Sequence, residues 1–419
     1  MSRGPGSGER VDRNSGAVPV GRVGAAAAPL GSGAPQGSSV PHATSLIIQT
    51  SYLGDTVLTT PLIAELATRG PVDVVVTPAA AELLSNNPFI RTLFVYDKRR
   101  TYAGVGGVLR MARDIRRNYR QFAVKGSTSG GTRTAYMAQG SLRSAALALL
   151  AGCHERVGFA TSAARALYTV SWRPRAGMHH AERLWRLAFA ATESRGGVGA
   201  PAGTAPLPHL YPGQAERKAV DAILGGTHDR RPIVALAPGS AWATKRWPYY
   251  AELARRLAPT FRLAIVGSSA DSAAARIITE TAGAQGVVDA TGKLSLLGSA
   301  ELIGRVAVLV TNDSSPQHLA SAMGTPTVTI FGPTVPELGF GPLAQYSVAV
   351  GHKTLDCRPC HHHGLQKCPL GHLKCMKELD VTEVEAAVWK VLQSAELRGS
   401  GGRVQGSGTA REGEASTPM

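Results

Sequence analysis

The stretch CRPCHHHGLQKCPLGHLKC, from Cys357 to Cys375, holds four of the chain's five cysteines together with four histidines. Four thiolates are enough for a tetrahedral zinc, with Cys357, Cys360, Cys368 and Cys375 as the ligand set and His361, His362, His363 and His372 as alternatives. The spacing after Cys360 matches no standard finger or ribbon, so reduced thiols or a disulfide tying down a loop compete with a structural zinc. A catalytic metal is not expected there.

Three other stretches carry residue types suited to chemistry. In TSYLGDTVLTTP, Gly54 permits a close turn and Asp55 stands at a helix start, where it is either an N-cap or a general base. In APGSAWATKRWP, the small residues Pro238, Gly239 and Ser240 let backbone N–H groups approach a phosphate, and Lys245 supplies a mobile cation. In TNDSSPQHLA, Asp313, Ser314 and Ser315 are N-cap types and Pro316 suits a first helical turn, which makes an anion site beside hydroxyls. Asp313 cannot clamp a phosphate itself. If it acts, it holds an N–H or orients a neighbour, and His318 is otherwise a half-buried helix residue.

The elements that must position these loops alternate. SLIIQT, VDVVVT and RTLFVY read as buried strands separated by helical stretches, and PIVALA, RLAIV, VAVLVT and PTVTIF repeat the pattern in the second half. Such alternation predicts parallel sheets covered by helices on both faces, with ligands bound beyond the carboxyl ends of the strands. The expected fold class is α/β, with two doubly wound, Rossmann-like domains facing a central cleft. Residues 1–43 and 396–419 are Gly/Ser/Ala/Pro-rich and read as disordered tails. Residues 44–200 and 210–395 are the two domains, joined by a linker at 201–209, and the last helix has the option of packing back on the first domain.

The formal charge is +16, and between Arg99 and Arg143 ten Lys/Arg face one acid, Asp114. That run favours an anionic partner, whether nucleic acid, an anionic membrane surface or a phosphorylated substrate, against the plainer reading of a solvated helix face. SAALALLAGC at 144–153 is about half the ~20 apolar residues that span a bilayer. No secretory signal is legible, and the cysteines are not spread as in a disulfide-stapled secreted domain, so a cytoplasmic location is expected.

LGDTVLTTPLIAEL, APGSAWATKRWPYYAELARRL, TNDSSPQHLASAMGTPTVTIFGPT and CRPC…KCPLGHLKCM together resemble glycosyltransferase family 9, the ADP-heptose:lipopolysaccharide heptosyltransferases, and most of all the heptosyltransferase II branch. The resemblance runs from about residue 44 to 395. It implies a GT-B arrangement, with the N-terminal domain holding the lipopolysaccharide inner-core acceptor and the C-terminal domain the nucleotide-sugar. It implies an inverting displacement in which Asp55 is the base and Lys245 contacts the diphosphate. Gly239, Ser240, Asp313, Ser314, Ser315 and His318 would add donor contacts, Asp271 would reach the ribose and Leu294 the base. No catalytic metal or cofactor is then expected, and no nucleic-acid partner. A monomer peripherally associated with the cytoplasmic face of the inner membrane is expected.

On charge alone, RRNYR (116–120) and the stretch from Gln139 to Arg143 are acceptor or membrane-surface contacts, Gln139 and Arg143 being the candidate acceptor residues. The sequence departs from the family pattern at KGSTSGGTRTAY, residues 125–136, which reads as an inserted loop. The competing functions are a transferase or epimerase using another nucleotide-sugar, and a non-catalytic, zinc-stapled anion-binding protein.

Overall fold

The computed structural model describes residues 17–19, 44–123, 133–225 and 229–401. The first sheet is made of β1 (Ala17–Pro19), β2 (Thr44–Gln49), β3 (Val72–Val76), β4 (Thr92–Val95), β5 (Arg133–Met137), β6 (Glu155–Phe159) and β7 (Val170–Trp172). The second is made of β8 (Ile233–Ala237), β9 (Arg262–Ile265), β10 (Val287–Asp289), β11 (Val308–Asn312), β12 (Thr327–Ile330) and β13 (Val348–Val350). Their orders are β1-β4-β3-β2-β5-β6-β7 and β10-β9-β8-β11-β12-β13. Every pairing is parallel except that of β1, which runs antiparallel along β4.

With β1 left aside, both sheets have the doubly wound order in which the chain starts in the middle, runs to one edge and returns to fill the other. The reversal falls between β2 and β5 in the first sheet and between β8 and β11 in the second. A parallel sheet covered on both faces needs strands apolar on both sides, and Leu46, Ile47 and Ile48 are all fully buried on consecutive positions. Helices 60–67 and 180–194 cover one face of the first sheet, through Leu62, Leu66, Leu184 and Leu187. Helices 104–123 and 142–150 cover the other, through Met111, Ile115 and Leu147.

The two halves meet at the carboxyl ends of their strands. Helix Leu53–Leu58 packs on helix Ser315–Met323. His180 N–H donates to the Gly339 carbonyl at 2.7 Å, and His209 N–H to Thr60 Oγ1 at 3.0 Å. Gly54 is required at this seam: a Cβ there would stand 2.5 Å from His318 Cδ2, so any side chain would push the halves apart.

Three expectations are corrected. The last helix, Val381–Gly401, does not return to the first domain. Val384, Val388 and Val391 lie in the core of the second sheet, and Trp389 stacks on Phe261 with centroids 5.1 Å apart. Its apolar stripe packs on β11 and β12 in the same cluster as helix 250–257. The 125–136 stretch is not wholly an insertion, because Arg133–Met137 is β5, the strand directly beside β2. Its Thr and Tyr residues are good strand formers that the Gly/Ser composition upstream obscures. Residues 124–132 lie outside the described residues. Ala17–Pro19, within the expected tail, forms the edge strand β1, while the rest of 1–43 and 402–419 lie outside the described residues.

Candidate active site

A cavity of about 140 Å³ opens between the sheets, where the two chain reversals face each other. Tyr52, Gly54 and Asp55 come from the loop and helix after β2, and Ser240, Trp242 and Lys245 from the loop after β8. Asp313, Ser314, Ser315 and His318 come from the turn and helix after β11, and Thr334, Phe340, His362 and His363 from the segments after β12 and β13.

Asp55 is the third residue of helix Leu53–Leu58, whose N-cap is Tyr52, so the N-cap reading of Asp55 is corrected. Its carboxylate reaches back past the N-cap to the Ser51 hydroxyl. Ser51 Oγ lies 2.6 Å from both Asp55 Oδ2 and Gln49 Oε1, so one hydroxyl proton is shared between two acceptors. Thr59 Oγ1 takes a hydrogen bond from Gln49 Nε2 at 3.1 Å, which fixes the amide orientation. Oδ1 is 3.8 Å from His180 Nε2 and, among the described residues, accepts no hydrogen bond. One oxygen is therefore held and the other is free to take a proton.

His180 was not found by sequence reading. Its ring lies against Phe340, centroids 4.9 Å apart, and its Nδ1 is buried without a partner. Burial pulls its pKa down from 6.5 to about 4 against the opposing charge of Asp55. Burial likewise pulls His318 down to about 4, against Asp313 and Asp55. Both imidazoles are neutral at pH 7, so neither forms an ion pair with Asp55.

These two groups predict an acid-sensitive fold. In the unfolded chain a histidine takes up its proton near pH 6.5, whereas these two wait until about pH 4. Stability is full above about pH 6.5 and is lost progressively as pH falls toward about 4. Urea unfolding at pH 7.5 and pH 5 should give a lower midpoint at pH 5, and the pair of substitutions His180→Phe and His318→Asn should flatten the difference. An unchanged pH dependence in that double variant would remove the assignment.

On the opposite wall Lys245 Nζ lies 2.6 Å from Asp313 Oδ2, and both residues are only 7% exposed. Thr334 Oγ1 donates to the same carboxylate oxygen at 2.6 Å. Asp313 thus orients a neighbour, as one sequence reading had it, and that neighbour is the lysine. Asn312 ties the two phosphate-type loops together: its Oδ1 accepts from Trp247 N–H at 3.2 Å, and its Nδ2 donates to the Pro238 carbonyl at 2.8 Å. Ser314 is the N-cap of helix Ser315–Met323 without a side-chain cap bond, and Pro316 stands in its first turn. The free N–H groups of that turn and the Ser240, Ser314 and Ser315 hydroxyls border the lysine, so this wall is built to receive an anion.

The cysteine stretch wraps this wall. Thr244 N–H and Oγ1 both bond the Leu365 carbonyl, at 3.0 and 2.8 Å, and Gln366 Nε2 bonds the Ala241 carbonyl at 2.9 Å. The segment after Cys360 therefore holds the turn that carries Lys245. The four cysteines are free thiols, Cys375 buried and Cys360 exposed. Among the described residues, no three His, Cys, Asp or Glu side chains stand close enough to hold a metal ion.

Three expected donor residues, Gly239, Asp271 and Leu294, lie outside the cavity lining. Asp271 caps its own turn, accepting from Ser268 N–H and Oγ at 2.9 Å, and backs onto Gly239, where a Cβ would come within 2.5 Å of the carboxylate. Leu294 packs at the edge of the core under helix Leu296–Gly304. On the acceptor side, Gln139 Nε2 bonds Ser144 Oγ at 2.9 Å and also Thr50 Oγ1, and Lys98 Nζ bonds the Thr50 carbonyl at 2.9 Å. Arg143 is exposed and faces Tyr96 and Lys98. These groups stand at the carboxyl end of the first sheet beside the cavity. RRNYR lies along helix 104–123 and lines no part of it.

Two doubly wound domains with a carboxylate on one wall of the cleft and a cationic anion site on the other define a GT-B type glycosyltransferase. The chain belongs to glycosyltransferase family 9 (heptosyltransferase), whose pattern it matches over residues 133–370. It is 30% identical over 337 residues to lipopolysaccharide heptosyltransferase 1 of Pseudomonas aeruginosa, covering 75% of this chain and 85% of the relative. It is 32% identical to lipopolysaccharide heptosyltransferase 2 of Escherichia coli over 114 residues, or 33% of that relative. The fold is shared with solved structures. E. coli ADP-heptose lipopolysaccharide heptosyltransferase II superposes with TM-score 0.65 at 22% identity, over 84% of this chain and 99% of that one. A family 9 glycosyltransferase of Veillonella parvula superposes with TM-score 0.69 at 21% identity, over 85% and 99%.

Proposed function

We propose that this glycosyltransferase moves heptose from ADP-heptose to the inner core of lipopolysaccharide, in a single displacement that inverts the anomeric centre. The observation that carries the reading is the opposition of Asp55 to the Lys245–Asp313 pair across one cavity. The free Oδ1 of Asp55 takes the proton of an acceptor hydroxyl as its oxygen bonds the anomeric carbon. The bond from that carbon to the diphosphate breaks on the opposite side, and the electron pair leaves with the nucleoside diphosphate. Negative charge grows there, and a lysine beside uncapped N–H groups stabilises it where water is excluded. Asp313 keeps Lys245 in place in the empty cleft and yields it to the diphosphate.

Ser240, Ser314 and Ser315 contact the diphosphate. Asp271 and Leu294 serve the ribose and base from positions behind the cavity wall. Gln139 and Arg143 serve the acceptor, whose inner-core sugars are acidic. No metal takes part in the displacement, and the enzyme works in the cytoplasm at the inner-membrane surface as a monomer. Matches to both heptosyltransferase 1 and heptosyltransferase 2 relatives support heptose as the sugar.

The test is transfer from ADP-heptose, with UDP- and GDP-sugars as controls, to defined truncated lipopolysaccharides, read by mass and repeated in EDTA. A product one heptose heavier, formed equally with EDTA, is expected. No turnover of ADP-heptose would sink the reading, and loss of activity in EDTA would restore a metal role.

A further inference from the structure

We propose that the outer face of helices 104–123 and 142–150 is a docking surface for an anionic lipid bilayer. The two helices are neighbours on one side of the first sheet. Both run back from the carboxyl end of a strand, so their first turns stand at the end of the sheet that bears Asp55.

Residues 108, 111, 112, 115 and 119 of the longer helix are buried, and its opposite side is in solvent. At one turn per 3.6 residues, Val105, Leu109, Arg113, Arg116 and Arg120 fall on one stripe of that open side, with Arg110 and Arg117 flanking it. Val105 is 78% exposed and Leu109 40%. The shorter helix adds Leu142, 62% exposed, and Leu149, 46%, on its own open side. Large apolar side chains at the head of a helix and arginines down its length are what an interfacial surface needs: wedges for the acyl boundary and cations for the headgroups.

The charge is uncompensated. Among the described residues, none of Arg110, Arg113, Arg116, Arg117, Arg120 and Arg143 forms an ion pair. The nearby acids are engaged elsewhere: Asp114 accepts from Tyr102 Oη at 2.8 Å, and Asp97 caps the Arg99 and Arg100 N–H groups at 3.1 Å. A nucleic acid would also meet the charge, but it has no use for exposed Val and Leu at the head of the stripe. Stacking bases favour aromatic side chains, and among the described side chains of these helices none is exposed. Among the described residues no helix is long and apolar enough to cross a membrane, and the proposed attachment is at the surface. The reason for docking rests on the transferase reading: it would bring the acceptor side of the cleft to a lipid-anchored acceptor.

The test is co-sedimentation of the full chain, without substrate, with vesicles of phosphatidylcholine alone and of phosphatidylcholine mixed with phosphatidylglycerol. Binding to the mixed vesicles only, weakened by salt, is expected. Arg113→Glu with Arg116→Glu and Arg120→Glu should lower it by roughly fivefold or more per arginine. Val105→Ser with Leu109→Ser and Leu149→Ser should remove the part that resists salt. All these positions are exposed, so circular dichroism should be unchanged, and transfer to a deacylated, soluble acceptor should match the parent. Vesicle binding that ignores lipid charge or survives both sets of changes would overturn the proposal, as would preference for an oligonucleotide over the mixed vesicles. Failure of the soluble transfer assay in the parent would instead count against the transferase reading.

Discussion

Asp55→Asn should bind the nucleoside diphosphate as the parent does and transfer sugar about 10²- to 10⁴-fold more slowly, the usual contribution of a positioned general base. The substitution is close to isosteric, and the amide oxygen can still accept from Ser51, so the helix start and the cavity keep their shape. What disappears is the free oxygen at Oδ1, which no donor among the described residues occupies. Without it the acceptor hydroxyl must attack with its proton on. The donor site is built on the other domain, by Lys245, Ser240 and the turn after β11, so it should not register the change. Calorimetric titration with ADP beside a transfer assay separates the two. A variant that transfers normally would show that the base lies elsewhere. One that loses ADP binding would show Asp55 to be part of the donor site.

Lys245→Met should cost both catalysis and stability. Removing the cation from the developing diphosphate charge is expected to slow transfer by about 10²- to 10³-fold. Because the ground-state diphosphate is charged too, donor affinity should fall with it. The stability loss has a separate origin. Asp313 is nearly buried, and with Lys245 gone its carboxylate keeps, among the described residues, only the Thr334 hydroxyl. Breaking one side of such a pair typically costs about 3–5 kcal/mol, because the remaining charge is left in a poorly solvated place. Adding Asp313→Asn removes that charge, so the double variant should regain most of the thermal midpoint and none of the activity. Equal instability in the single and double variants would mean that the methionine itself does not fit.

The arithmetic of the pair also explains how the site waits for substrate. A lone buried lysine would be unstable, and a carboxylate in a diphosphate site would repel the ligand. Together they are neutral in the empty cleft. Binding of the donor trades one anion for another around Lys245, leaving Asp313 held by Thr334.

Much of the framework was legible from local pattern. SLIIQT, VDVVVT and PIVALA are apolar on both sides of the strand, which only a covered parallel sheet can use, and they fall within a residue or two of β2, β3 and β8. The edge strands β7, β10 and β13, three residues each and only partly buried, left no such mark. Strand β5 was hidden by the Gly/Ser run before it. The basic helix was visible as charge, but its alternation of buried apolar and exposed Arg positions was not used.

Chemistry followed the same division. Asp55, Lys245 and Asp313 could be picked out because small residues, turn formers and helix starts surround them in sequence. Ser51, His180, Thr334 and Phe340 carry no such local sign. His180 meets Asp55 only because helix His180–Ser194 covers the same face of the first sheet as the helices after β2, and because Gly339–Gly341 of the other domain closes over it. Side-chain type and spacing fix which segments become strands, helices and anion-binding turns, since those depend on neighbours in the chain. Which turns share a cavity depends on strand order and on how two sheets meet, and that is decided by burial of surfaces far apart in sequence. The tertiary structure alone therefore paired Lys245 with Asp313, brought Asp55 into the same cavity, and made the cysteine stretch a brace for the lysine turn.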